Sequence, residues 1–182
     1  MKGLSRLFLT MIAFLVFAAS GIILFPNGSV EQANRGLMKD DILAAHNRYR
    51  AELNIPPLEW SDQLASHARG WADHLARMGG RSLVHSSNSS RPGEGENLWM
   101  GTSGYYSYAQ MVDSWGAEKR YFTVGTFPRV STSGNWADVG HYTQIIWKNT
   151  RQVGCALATA GGYDILVCRY GPPGNYIGQP VY

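Results

Sequence analysis

Gly140-His141-Tyr142-Thr143-Gln144-Ile145-Ile146-Trp147 is the stretch on which the reading of this chain turns. One imidazole stands at the head of a run that closes with two isoleucines and a tryptophan. Its length suits a short apolar helix or turn, and Trp147 is expected in the core. Just downstream, residues 152–158 and 163–170 read as two strands. Ala160-Gly161-Gly162 between them is a hairpin signal. Cys155 and Cys168 then face each other across that hairpin. They are the only cysteines in the chain, and neither has CxxC spacing, so zinc-knuckle and thioredoxin-type readings fail. In an oxidising compartment they are expected to pair; two free buried thiols are the alternative.

Upstream, the periodicity turns helical. Ile42, Ala45, Tyr49 and Leu53 predict a helix over 38–53, stopped by Ile55-Pro56-Pro57. Leu64, Ala68, Trp71, Leu75 and Met78 predict a second over 61–78, with Ser61 as N-cap and Gly79-Gly80 as its end. Trp71 sits mid-stripe and is expected in the core. Leu83-Val84 reads as a short β-type stretch. A third helix is expected over 108–121, then a long loop to Asp138 carrying Phe127 and Trp136. Helices first and strands after predict an α+β fold rather than a doubly wound sheet.

The amino terminus points to export. Lys2 and Arg6 precede an uncharged apolar run from Leu7 to Phe25, the layout of a signal peptide. As a helix this run would span about 28 Å, close to a bilayer core, so an uncleaved N-terminal membrane anchor is the alternative reading for residues 1–25. Either way the positive flank stays inside and the domain lies outside. Residues 26–36 read as a polar linker and 37–182 as the folded domain. Without residues 1–33 the chain keeps 14 basic and 12 acidic side chains, and no basic cluster stands out. Nucleic acid is therefore excluded as a partner.

HExxH, GxxxxGK[ST], EF-hand and GxSxG patterns are missing from the sequence. The suggestive groups are His85, Glu96, Glu118 and His141, set in apolar or glycine-rich surroundings. Imidazoles with carboxylates suit a divalent metal such as zinc, and two carboxylates suit general acid and base work. Each of them, taken singly, is more often structural. His67 and His74 are seven residues apart, about 10.5 Å along a helix, too far for one metal ion.

Several segments together resemble the CAP (SCP) superfamily, which includes cysteine-rich secretory proteins, insect venom allergens and plant pathogenesis-related proteins. They are Ala45-His46-Asn47-Arg48-Tyr49-Arg50, Gly95-Glu96-Asn97-Leu98, the Gly140–Trp147 stretch, and Val167-Cys168-Arg169-Tyr170-Gly171-Pro172-Pro173-Gly174-Asn175-Tyr176. Pro57-Leu58-Glu59-Trp60 and His85-Ser86 also fall where relatives carry similar residues. The resemblance runs from about residue 38 to the C-terminus. It implies a three-layer α-β-α sandwich with a central antiparallel sheet. It also implies a cleft where His85 and His141 bind zinc weakly, with Glu96 and Glu118 beside them. His46 falls outside that tetrad and is expected to order the first helix. Eukaryotic relatives often have more disulfides than the one available here.

Two functions follow as expectations. The first is an exported, non-enzymatic binding protein for a lipid, a sterol-like ligand or a cell-envelope component, with Tyr121, Phe122, Phe127 and Trp136 as an apolar site separate from the tetrad. The alternative is a metal- or carboxylate-dependent hydrolase acting on cell-wall glycan or peptide. Carboxylates facing each other across an open cleft would favour the hydrolase; carboxylates tightly packed would favour a metal or structural role.

Overall fold

The computed structural model describes residues 27–182, with side chains from residue 36. The expected leader, residues 1–25, lies outside the described residues. Among those described, no helix is long and apolar enough to cross a membrane.

The second predicted helix, α2 (Asp62–Arg77), shows how sequence makes structure here. Its first turn is closed by Ser61, whose hydroxyl accepts the Leu64 N–H at 3.3 Å. Its buried face is Leu64, Ala68, Ala72 and Leu75. The small residues let the helix press onto the sheet. A Cβ on Gly154 would meet the Ala65 backbone nitrogen at 2.2 Å, so only glycine fits below α2. Trp71 departs from expectation. Ala72, one residue and about 100° further round, takes the place against the sheet. Trp71 is left half-buried at the helix edge, with its indole N–H donated to the Val84 carbonyl at 3.0 Å. Met78, just past the helix end, is exposed.

The hairpin forms as predicted, from β3 (Gln152–Ala160) and β4 (Tyr163–Gly171). Cys155 lies directly opposite Cys168, and the two form a disulfide. A further strand, β2 (Gly95–Thr102), pairs antiparallel with β4, and β1 (Glu59–Trp60) pairs with β3, giving the order β1-β3-β4-β2. The sheet is antiparallel except at β1, which runs parallel to β3 over two residue pairs. Leu83-Val84 forms no strand; it is irregular and partly exposed, with no neighbouring strand to pair with.

Strand alternation sorts side chains into two layers. Val153, Cys155, Leu166, Cys168 and Tyr170 face a core shared with α1 (Asn27–Ala51), α3 (Tyr108–Gly116) and α4 (Gly140–Ile145). Ala156, Ala158, Ile165, Val167 and Leu98 face α2. This is the expected α+β sandwich. Helix α1 starts earlier than predicted, within the stretch read as a linker. A 3-10 turn, Ala117–Tyr121, extends α3. Trp147 is fully buried, edge-on to Phe127.

The inner face of α1 carries two fully buried polar side chains, His46 and Arg50. Arg50 donates to the carbonyls of Pro56, Ile145, Trp147 and Thr150 at 2.7–3.0 Å. His46 donates from Nδ1 to the Ile42 carbonyl at 2.8 Å and accepts the Tyr170 hydroxyl at Nε2, also at 2.8 Å. Burial lowers its pKa to about 4; the Ile42 bond opposes that shift and the Arg50 charge adds to it.

This depression has a stability consequence. Between about pH 6.5 and 4 the unfolded chain takes up a proton at His46 that the folded chain refuses. The His46 contribution is therefore complete above pH 6.5 and lost as pH falls through that window, about 3 kcal/mol in all. Denaturant titrations at several pH values should show this slope in the wild type and its loss in His46→Gln. An unchanged slope in the variant contradicts the assignment.

Candidate functional site

A cleft of about 750 Å³ opens beside the N-terminus of α4. Its lining is polar at His85, Glu96 and Arg91 and apolar at Phe127, Pro128 and Trp136. His141 also lines it, and Tyr176 and Ile177 stand at its exposed margin.

Glu96 enters from β2 directly opposite Arg169 of β4. Its side chain is 0% exposed. Oε1 meets His85 Nδ1 at 2.7 Å and the Ser86 N–H at 3.0 Å. Oε2 accepts the Ser86 hydroxyl at 2.8 Å and faces the Arg169 guanidinium at 3.1 Å. Burial pushes this carboxyl up, but the bonds from His85 and Ser86 and the Arg169 charge outweigh it, and its pKa falls below the usual value. Glu96 is therefore ionised and can only accept. The proton in its bond to His85 must sit on Nδ1.

The second pair repeats this pattern. Glu118, in the 3-10 turn after α3, meets His141 Nδ1 at 2.6 Å. Its other oxygen accepts the backbone N–H groups of His141 and Tyr142, both at 3.0 Å. The His141 ring stacks on Trp115, with centroids 6.0 Å apart and planes at 18°. The Trp115 indole N–H is itself held by the Leu98 carbonyl at 3.1 Å. Behind the site, Asn97 donates to the His141 carbonyl and to the Tyr170 hydroxyl, at 3.2 and 3.0 Å. Through Tyr170 this reaches His46 and so ties the site to α1.

The remaining residues of the Gly140–Trp147 stretch hold the cleft's shape. Gln144 accepts the Gly174 N–H at 2.9 Å, and Thr143 bonds Asn175 at 2.7 Å. A Cβ on Gly95 would lie 2.1 Å from the Gln144 amide oxygen. The glycine before Glu96 is therefore a clearance for Gln144.

The structure brings His85, Glu96, His141, Phe127 and Trp136 to one cleft, with Glu118 behind His141. The aromatic loop does not form one separate surface as expected. Phe122 packs inward on Tyr142 and Tyr182, Tyr121 is exposed beneath the Arg120 guanidinium, and Phe127 is 4% exposed, more core than surface. Nor do the two carboxylates face each other as an acid and base pair; each holds its own imidazole. Among the described residues, no group of three or more His, Cys, Asp or Glu side chains could hold a metal ion. The donors that remain are the Nε2 atoms of His85 and His141, each backed by a carboxylate at Nδ1, the support typical of metal-binding histidines. Sequence reasoning missed Arg169 and Ser86. A lone arginine within Ile165–Tyr170, an otherwise apolar strand, was the available signal for a buried carboxylate partner.

The chain matches the family described as CAP, the cysteine-rich secretory protein family, over residues 43–170. It is 39% identical over 146 residues to pathogenesis-related protein 1C of Nicotiana tabacum, covering 79% of this chain and 80% of that one. Venom allergen 5 of Polistes dominula is 32% identical over 166 residues, covering 78% and 70%. Among solved structures, BmVAL-1 superposes with a TM-score of 0.67 at 26% identity, covering 80% of this chain and 82% of that one. NaASP2 with Zn2+ gives 0.67 at 24%, covering 80% and 84%, a likeness of fold.

Glu96→Gln removes the charge between His85 and Arg169 while keeping the shape. It should destabilise the fold by about 3 kcal/mol, because it leaves a buried guanidinium under-compensated. Urea unfolding checks this; a loss well under 1 kcal/mol contradicts the role given to Glu96.

Proposed function

We propose, since the chain belongs to the cysteine-rich secretory protein (CAP) family, that it is an exported, non-catalytic binding protein. It is of the pathogenesis-related and venom-allergen type. Its cleft takes a lipid, a sterol-like molecule or another ligand with one apolar and one polar side. Zinc binds weakly at the same place, on His85 and His141.

The observation that carries this reading is how the two carboxylates use their bonding capacity. Glu96 is fully buried, ionised and held by His85, Ser86 and Arg169. Glu118 holds one imidazole and two backbone N–H groups. A glycosidase needs one carboxyl that carries a proton to donate and one that is free to attack or to activate water. These carboxylates fit neither task, so the hydrolase reading is the weaker one. They suit instead the orientation of two imidazoles by their Nδ1 atoms, which turns Nε2 away from the carboxylates. A zinc ion there, if bound, would supply positive charge for a polar head group. Two nitrogen ligands leave its other positions to water or ligand, so affinity is modest. Acid weakens it further by protonating the imidazoles. Phe127, Pro128 and Trp136 offer the apolar portion a surface. The signal-like leader and the disulfide both agree with an oxidising destination.

Zinc titration calorimetry and extraction of co-purified lipid followed by mass spectrometry test this together. His85→Ala with His141→Ala should abolish zinc heat with the circular dichroism spectrum unchanged. Trp136→Ala should reduce retained lipid at least fivefold. Unchanged zinc affinity in the double variant removes the metal site. Release of sugars from cell-wall glycan that is lost in Glu96→Gln would establish the hydrolase instead.

A further inference from the structure

A second pocket of about 500 Å³ lies on the α2 side, and the tetrad does not use it. Trp71 forms part of its lining, while His74, stacked on the same indole at 4.5 Å and 22°, does not line it. One face of the ring is thus covered by the protein's own imidazole, and the indole N–H is already bound to the Val84 carbonyl. Trp71 is a rigid aromatic plate. Gln63, His67, Arg91 and Glu94 stand round it. Gly70 leaves the approach open, since a Cβ there would meet nothing within 4 Å.

The lining also sets the charge that a ligand would meet. Arg169 lines this pocket but is 3% exposed and is bound to the protein's own carboxylates. Arg91 and Arg169 line the pocket with Glu94, and Glu96, which lies behind Arg169 and outside the lining, supplies the second negative charge that balances them. Arg169 reaches both Glu94 and Glu96 at 3.1 Å, and Glu94 also holds His67 Nδ1 at 2.6 Å. The site therefore favours neither anions nor cations.

We infer that the Trp71 pocket is a saccharide subsite that binds one end of a neutral, hydroxyl-rich glycan. Sugar hydroxyls both donate and accept, which suits planar amide, imidazole, guanidinium and carboxylate groups in one ring. The apolar face of a pyranose suits an indole plate. The volume lies within the roughly 300–1,000 Å³ of small-molecule sites. Arg91 and Glu94 line both this pocket and the tetrad cleft, so a longer glycan held here would extend toward it.

Titration calorimetry of the full chain with cellotetraose and with the β-1,4-linked tetramer of N-acetylglucosamine tests the site, with a sulfated heparin tetrasaccharide as the anionic comparison. At least one neutral tetrasaccharide should bind. Gly70→Gln, which puts a side chain across the opening without touching the core, should weaken that binding at least tenfold, with zinc uptake unchanged and the melting temperature no lower, since glycine is the poorer helix former. Trp71→Phe should weaken it less. No binding of either neutral sugar, binding that survives Gly70→Gln, or binding of the heparin fragment alone overturns the inference. None of these outcomes bears on zinc uptake or lipid retention in the first cleft.

Discussion

The guanidinium of Arg50 is the fixed point of this fold. It is fully buried, and it satisfies itself on four backbone carbonyls drawn from three places. Those places are the turn after α1, the end of α4, and the loop leading into β3. Burial and the nearby charge of Arg151 lower its pKa to about 10, so it stays charged at neutral pH. A charge in that position is tolerable only while every one of those carbonyls stays in reach. This cooperative demand sets where α4 ends, and hence where His141, at its beginning, stands.

A second buried chain works from the same face of α1. His46, Tyr170 and Asn97 pass hydrogen bonds from the helix through β4 and β2 to the His141 carbonyl. The site thus rests on the interior. The two imidazoles are oriented by carboxylates, the carboxylates by Ser86, Arg169 and backbone N–H groups, and those by the pairing of β2 with β4. Such support costs the carboxylates their freedom to act as acid, base or nucleophile. It turns both imidazoles so that Nδ1 faces a carboxylate, in a cleft that Phe127 and Trp136 also line.

Local signals were legible where local forces decide. Ser61 capped the helix expected of it, and Gly161-Gly162 turned the hairpin that joins Cys155 to Cys168. Strand β2 was harder to read because Glu96 and Asn97 look like loop residues; their burial also depends on Arg169 and Tyr170, more than 70 positions away. Leu83-Val84 had strand composition but no partner strand. Trp71 fell on the helical stripe, yet Ala72 was needed where α2 meets the sheet. The tetrad was visible as a resemblance to a family. Which carboxylate serves which imidazole depends on β2 and on the turn after α3, and no spacing in the sequence encodes that.

Each imidazole of the pair is expected to carry its proton on Nδ1, facing a carboxylate, and to offer Nε2 to the cleft. Long-range 1H–15N correlation of labelled protein at neutral pH observes this directly. The expected result is the Nδ1–H tautomer for both His85 and His141, with the Nδ1 protons shifted far downfield by their bonds to Glu96 and Glu118. Finding the Nε2–H tautomer at either residue would contradict it.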